Sequence, residues 1–176
     1  KALGGAKLEL VVLDSGDTTE KAKNAAQRMV AEYPDLVAAT GSYLSSFTLA
    51  VTEVTERAHL PMLTLSYSDL LTQRGFKYIF QTSASSGSQA QQSLPTLVKL
   101  AEAAGAKRPK TVAIITDNTA ASLSSVKPMK EHLLKELGIE LVVDEVFTPP
   151  LADVTPLVQK LRATRPDMLF FLPTVI

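Results

Sequence analysis

The sequence predicts an α/β protein built on parallel β-sheets. Short runs of aliphatic and β-branched residues recur along the chain, a composition typical of strands buried on both faces. Longer segments with apolar residues at helical spacing separate these runs. The runs end in glycine or polar residues, where a strand gives way to a turn. Strands and helices that alternate in this way favour doubly wound parallel sheets with helices on both faces.

The strands are predicted where the aliphatic runs occur, at 8–13, 36–40, 61–65, 78–81, 111–116, 139–147 and 168–172. The helices between them are recognised by their ends. Asp17 and Glu20 have the spacing of a capping box, and Pro34 closes the helix that they open. Gly105 and Gly138 close two later helices.

The alternation breaks at 70–82, and a serine-rich run follows at 83–88. We interpret this stretch as a crossover between two lobes, each with a parallel sheet of its own. The predicted domains are therefore a first lobe at 1–82 and a second lobe at 83–176.

Composition excludes several classes of function. The 18 Lys and Arg residues balance 18 Asp and Glu residues without a dense basic stretch, so no nucleic-acid partner is expected. The chain has no cysteine, which excludes disulfides, cysteine-ligated metals and a cysteine nucleophile. His59 and His132 have no second histidine or carboxylate at metal-ligand spacing, so we expect structural roles for both. No Gly-rich nucleotide loop and no G-x-S-x-G turn occurs, and we predict no cofactor and no catalysis.

Ligands of parallel sheets bind beyond the carboxyl ends of the strands. Those exits fall at 14–17, 41–46, 66–69, 117–122 and 173–176, and they carry hydroxyl groups and backbone amides. The serines at 42, 45 and 46 lie at a helix start, where they either hold a carboxylate or simply cap the helix. Ser66, Tyr67 and Ser68 follow a strand and form either a contact surface for a polar ligand or a plain turn.

Three ordered segments then carry a resemblance to a known family. GSYLSSFT at 41–48, PMLTLSYS at 61–68 and TQRGF at 72–76 resemble the leucine/isoleucine/valine-binding family of type I periplasmic solute-binding proteins. The resemblance extends over essentially the whole chain. It implies that the first lobe begins one strand and one helix before Lys1 and that the second lobe continues past Ile176, so both lobes are expected to be incomplete.

The same resemblance implies a ligand site. In amino-acid-binding members a serine at the helix start and its amide hold the carboxylate, a role that falls on Ser45. The amino group is held at the exit of the third strand, a role that falls on the Ser66 carbonyl and the Ser68 hydroxyl. Ser46 and Tyr67 would be neighbouring pocket residues.

The second lobe departs from the family pattern. After the strand-end Asp117, Ala121 stands where many members have an aromatic residue. Thr174 stands at the exit of the last strand, where binders of branched-chain amino acids often have tyrosine. We therefore expect a pocket whose second-lobe wall is smaller or differently shaped, and which accepts a branched-chain amino acid or a related carboxylate such as an aromatic acid.

The function that the resemblance implies is that of a non-enzymatic periplasmic receptor. It captures a small solute by hinged closure of the lobes and delivers it to the membrane permease of an ABC importer. No signal peptide opens the chain, so we expect that the export signal has been removed or lies upstream of Lys1. Two alternatives stay open: the ligand-sensing domain of a receptor or regulator, and an α/β enzyme that uses a cofactor at the same strand exits.

Overall fold

The computed structural model describes residues 4–174 and contains two three-stranded sheets in which every strand pair is parallel. We call the part of the chain that contains the first sheet the first lobe, and the part that contains the second sheet the second lobe. The first sheet has the order β1-β2-β3, and the second has the order β5-β4-β6. The predicted α/β class with parallel sheets is confirmed.

The first lobe contains α1 (Thr19–Glu32), β1 (Ala39–Thr40), α2 (Ser45–Arg57), β2 (Met62–Thr64), α3 (Leu70–Gln73) and β3 (Ile79–Gln81). The second lobe contains α4 (Ser86–Ala103), β4 (Thr111–Asp117), α5 (Ala120–Pro128), a π-helical turn (Met129–Leu133), α6 (Leu134–Leu137), β5 (Glu140–Phe147), α7 (Thr155–Thr164) and β6 (Met168–Leu172).

The core of the first lobe lies between α1, α2 and one face of the sheet. It consists of small and medium apolar side chains, Ala22, Ala26, Val51, Val54 and Met62. The opposite face of the sheet is uncovered in the described residues, because Leu63, Leu65 and Phe80 are 44–70% exposed. Among the described residues, the helices α1 and α2 therefore cover one face of this sheet.

Residues 8–13 do not form the predicted strand. Leu8, Leu10 and Val12 are exposed, and no hydrogen bond found in residues 4–174 joins the segment to a strand. A strand exists only through its hydrogen bonds to a neighbour, so aliphatic composition alone is not sufficient. A cavity of about 240 Å³ separates the segment from β1. Strand β1 is also shorter than predicted, since it covers Ala39–Thr40 instead of 36–40.

The cap of α1 also differs from the prediction. Thr18, and not Asp17, is the N-cap, and its hydroxyl accepts a hydrogen bond from the Lys21 amide at 3.1 Å. Asp17 instead pairs with the Lys21 ammonium group at 2.8 Å on the surface. The helix ends before Pro34, as predicted.

The TQRGF segment has a structural role through Arg74. Its guanidinium group donates to the Leu49 carbonyl at 3.0 Å and to the Thr52 hydroxyl at 2.5 Å, and lies 4.3 Å from the centre of the Phe76 ring. Desolvation lowers the pKa of Arg74, and nearby glutamates oppose this effect. These contacts attach the short helix α3 to α2 and thereby position the loop before α3.

The second lobe has a larger core, built from α4, α5, the π-helical turn and the face of β4 that carries Val112 and Ile114. The other face of β4 carries Ala113 and Ile115, which are also buried. β4 is paired on both sides, with β5 and with β6. It therefore has the position of a central strand in an α/β sheet.

The helix that precedes β5 is interrupted by a π-helical turn at Met129–Leu133, which the sequence pattern did not predict. The predicted end at Gly138 is confirmed, since this glycine has a left-handed backbone with φ of 68°. The adjacent Leu133 and Leu134, at the end of the turn and the start of α6, are both buried, at 6% and 5% exposure.

Candidate functional site

The residues that leave β2 keep the alternation of a strand beyond its last hydrogen bond. From Met62 to Ser68, every even-numbered residue is buried and every odd-numbered residue is exposed. Successive side chains of an extended chain point to opposite sides. Ser66 and Ser68 therefore face the interior, and Tyr67 faces outward.

The inward-facing hydroxyl groups form a network with the start of α2. The Ser66 hydroxyl lies 2.7 Å from that of Thr48 and donates to the Ser42 carbonyl at 2.9 Å. The Ser45 hydroxyl accepts hydrogen bonds from the amides of Tyr67 and Ser68, both at 3.1 Å. Because a buried polar group without a partner is costly, this network stabilises the junction of β2 and α2.

The network occupies Ser45, Ser66 and Ser68, and the ligand roles that the family resemblance implied for them stay predictions. All three are at most 2% exposed. The Ser66 carbonyl accepts a hydrogen bond from the side-chain amide of Gln81 at 2.7 Å, and the Ser68 hydroxyl lies 2.9 Å from the Ser124 hydroxyl. The polar atoms expected to hold a ligand amino group are thus bonded within the protein.

The outward-facing residues form a different surface. The turn before α2 passes through Gly41 and Ser42, whose φ angles are 125° and 57°, and it presents Tyr43 with 79% of its surface exposed. Tyr67 is 41% exposed, and Ser46 is partly exposed. Of these residues, Ser46 and Tyr67 belong to the site predicted from the sequence.

Ser46 is also one of the points at which the two lobes meet. Its hydroxyl accepts a hydrogen bond from the Ala120 amide at 3.2 Å. Ala120 is the first residue of α5, and Ser46 is the second residue of α2. The first amides of an α-helix have no partner within the helix, and the helix dipole makes this end positive. The N-terminal ends of two helices, one from each lobe, therefore meet at one hydroxyl group.

Asp117 organises the strand exit of the second lobe. Its side chain accepts hydrogen bonds from the Thr119 amide at 2.9 Å, from the Thr119 hydroxyl at 2.6 Å and from the Thr174 amide. The residue is completely buried. The carboxylate thus joins the exit of β4 to the residues after β6. Both of its oxygens accept hydrogen bonds within the protein.

A cluster of hydroxyl groups lies beside this carboxylate. The Thr174 hydroxyl lies 2.7 Å from that of Ser122 and 3.0 Å from that of Thr119. Thr174 is confirmed to lie at the exit of β6, and Ala121 is 9% exposed on α5. Thr119 and Ser122 were not predicted. Their positions at the start of a helix after a strand were a usable signal, the one that identified Ser45 and Ser46 in the first lobe.

A groove of about 480 Å³ runs between the lobes next to Ser46. Its walls come from α3, the start of α4, α5 and the π-helical turn, and include Leu70, Gln73, Gln91, Leu123, Lys127 and His132. Ser46 and Ala120 belong to its lining, whereas Tyr67 and Thr174 do not. The groove therefore opens onto the contact between Ser46 and Ala120 on the side of the molecule where α3 and α5 lie.

His132, which we expected to have a structural role, is partly buried and lines the same groove.

Within residues 4–174, no group of three His, Asp or Glu side chains is arranged to hold a metal ion. None of the helices in the same range combines the length and hydropathy required to cross a bilayer.

Comparison with known proteins gives a consistent result. A family model described as periplasmic binding protein matches residues 1–174. The Leu/Ile/Val-binding protein homolog 8 of Brucella abortus (strain 2308) is 29% identical over 173 residues, which are 96% of this chain and 42% of that protein.

Solved structures agree with this. An extracellular ligand-binding receptor from Rhodopseudomonas palustris HaA2 has a TM-score of 0.78 at 24% identity, over 94% of this chain and 44% of the receptor. A solute-binding protein of an ABC transporter from Rhodopseudomonas palustris BisB5 was solved in complex with 3,4-dihydroxybenzoic acid. It has a TM-score of 0.75 at 25% identity, over 97% of this chain and 44% of that protein.

The chain spans less than half the length of these proteins. The family match nevertheless covers nearly all of the chain, and the parallel sheets agree with the solved structures. The chain therefore belongs to the periplasmic binding protein family, within its leucine/isoleucine/valine-binding group of type I solute receptors.

Proposed function

We propose that the protein is an extracytoplasmic, non-enzymatic receptor that captures a small carboxylate for an ABC importer. The observation that carries the proposal is the meeting of α2 and α5 at Ser46, where the Ala120 amide of the second lobe lies 3.2 Å from the Ser46 hydroxyl. A carboxylate is the simplest ligand for a point where two helix N-termini converge, because each end carries roughly half a positive charge.

The ligand carboxylate would bind between the lobes and accept hydrogen bonds from the Ser46 hydroxyl and from first-turn amides of both helices. It would replace the direct contact between Ser46 and Ala120. Interactions with both lobes are what a ligand needs in order to favour a closed arrangement over an open one. Ser45, Ser66, Ser68 and Asp117 would then maintain the walls of the site from behind.

The rest of the ligand would lie against the exposed rings of Tyr43 and Tyr67. The second-lobe wall offers Ala121 and the hydroxyl cluster of Thr119, Ser122 and Thr174 in place of further rings. This combination leaves room for an aliphatic side chain or a hydroxylated aromatic ring. Both classes are named for relatives, as Leu/Ile/Val in one and 3,4-dihydroxybenzoic acid in another.

The capture mechanism would be hinged closure about residues 82–85, which connect β3 to α4. The solute docks on the first-lobe wall, and the second lobe then closes over it. A periplasmic location and recognition of the closed form by a membrane permease complete the proposal, since a permease must distinguish loaded from empty receptors.

A thermal-shift screen tests the ligand class. The panel contains leucine, isoleucine, valine, benzoic acid and 3,4-dihydroxybenzoic acid, with leucinamide as a control that lacks the carboxylate. A ligand present at one hundred times its dissociation constant should raise the free energy of unfolding by about 2.7 kcal/mol. Stabilisation by leucinamide equal to that by leucine would contradict the proposed carboxylate site.

The substitution Ser46→Ala tests the proposed contact. We expect ligand affinity, measured by calorimetry with the panel member that stabilises the protein most, to fall by about 1–3 kcal/mol, the range for a hydrogen bond to a charged group. Ser93→Ala, at an exposed serine of α4, is the matched control and should leave affinity unchanged. Equal affinities for the Ser46 variant and the control would refute the assignment of Ser46.

A further inference from the structure

A second contact joins the lobes close to Ser46. The hydroxyl groups of Ser68 in the first lobe and Ser124 on α5 lie 2.9 Å apart, and the Asp69 amide donates to the Ser124 hydroxyl at 3.3 Å. Ser68 is fully buried, and Ser124 is 9% exposed. Ser124 thus has two polar partners from the opposite lobe in a region largely closed to water.

Ser124 lies four residues after Ala120, one turn further along α5. Residues at this spacing lie on the same side of a helix. The face of α5 toward the first lobe is therefore attached at two points, at Ala120 to Ser46 and at Ser124 to Ser68 and Asp69. Two attachments along one helix determine its direction as well as its distance, which a single contact cannot do.

The loop that holds Ser124 is itself bonded to the start of α4. The Asp69 carboxylate accepts hydrogen bonds from the Ser85 hydroxyl at 2.6 Å and from the Gly87 amide at 2.8 Å. A Cβ atom added at Gly87 would lie 2.9 Å from that carboxylate, so the approach leaves no room for a side chain. Asp69 is consequently a firm support for the Ser124 contact.

We propose that Ser124 is a positioning residue of the receptor. Its hydroxyl, held by Ser68 and Asp69, aligns α5 so that the Ala120 amide faces Ser46. The role rests on the proposed function, because the aligned helix end is the part that the solute would use. Ser68 takes part in this role through Ser124, without touching the solute.

The test measures the separation of the lobes without any ligand. Because the chain has no native cysteine, Gln27→Cys on α1 and Lys135→Cys on α6, both exposed, provide one spin label on each lobe. Pulsed dipolar spectroscopy then gives the distance distribution between the labels. We expect Ser124→Ala to broaden the distribution and lengthen its mean, because one of the two attachments of α5 is lost.

Ser125→Ala is the matched control. The Ser125 hydroxyl bonds to the Ala121 carbonyl within its own helix, so its removal should leave the lobe separation unchanged. Thermal melting of both variants verifies that they fold. The double variant Ser68→Ala/Ser124→Ala should change the distribution no more than Ser124→Ala does, since both substitutions remove the same contact.

A calorimetric titration with leucine and with 3,4-dihydroxybenzoic acid adds the functional readout. We expect Ser124→Ala to weaken binding about fivefold, equivalent to about 1 kcal/mol for one hydrogen bond. An unchanged distance distribution in Ser124→Ala, or an equal change in Ser125→Ala, would overturn the positioning role. Failure of both compounds to bind the unsubstituted protein would count against the proposed function alone, because the distance measurement requires no solute.

Discussion

The two sheets of this protein have the same parallel topology but differ in how far they are formed. In the second lobe, β4 has seven residues, is paired on both sides and is buried on both faces. In the first lobe, the central strand β2 has three residues, and its neighbour β1 has two. The apolar residues Leu63, Leu65 and Phe80 are exposed on the outer face of that sheet.

The difference shows that a strand depends on its neighbours more than on its own composition. Residues 8–13 are as aliphatic as β4, yet they remain outside both sheets and are separated from β1 by a cavity of about 240 Å³. β4 lies between two long strands and beneath packed helices. Hydrogen bonding along both edges and burial of both faces are therefore what distinguish the two regions.

The largest expected effect compares one residue from each central strand. Ile114→Ala in β4 removes a side chain with no exposed surface and should lower the free energy of unfolding by about 2–5 kcal/mol. Leu63→Ala in β2 removes a side chain that is 44% exposed and should cost less than about 1 kcal/mol. Urea denaturation measures both. Equal losses would mean that the outer face of the first sheet is covered in solution.

An intermediate effect is expected at the start of α2. Ser45→Ala removes the acceptor of two backbone amides at a position that is 2% exposed, and should lower the free energy of unfolding by about 1–3 kcal/mol. The adjacent Ser46→Ala loses one contact at a partly exposed position and should have the smaller effect on stability. Thermal denaturation of the two variants compares them directly. The reverse order would contradict the assignment of Ser45 to the inner network.

The smallest effect concerns acid stability. Hydrogen bonds from the Lys110 and Thr111 amides, and then from the Thr111 hydroxyl, hold the pKa of Asp167 below its ordinary value of 3.8. A lowered pKa in the folded state gives stability that is present above the unfolded value and is lost as pH falls through the folded value.

Asp167→Asn should therefore reduce stability near neutral pH and flatten its decline below about pH 4. Urea denaturation at a series of pH values measures how steeply the free energy of unfolding falls with decreasing pH. Asp35→Asn, at an exposed position of the first lobe, is the control. An identical acid slope in Asp167→Asn and the unsubstituted protein would show that these hydrogen bonds persist in the unfolded chain or do not form.

Much of the fold could be predicted from local patterns. The strands at 111–116, 139–147 and 168–172 lie within one residue of β4, β5 and β6, because their aliphatic, β-branched and aromatic residues are also paired with a neighbouring strand. The segment at 8–13 could not be judged, since its pairing depends on residues distant in sequence. The π-helical turn was missed because the apolar spacing of one turn does not reveal an extra residue.

The strand exits named from the sequence carry the hydroxyl groups that were expected there, and the ligand roles of the individual residues stay predictions. Extending the alternation of β2 as far as Ser68 would have predicted that Ser66 and Ser68 face inward and that Tyr67 faces outward. The contact between Ser46 and Ala120 was not predictable, since it joins positions 74 residues apart in different lobes.

The π-helical turn at Met129–Leu133 makes the continuous helix from α5 to α6 unequally sensitive to changes in length. A π-helical turn holds one residue more than an α-helical turn, so deleting one residue within it would give a regular helix in which Leu134 still faces the core. Deleting one residue from the regular turns of α5 would instead rotate everything beyond the deletion by about 100° and turn Leu134 away from the core.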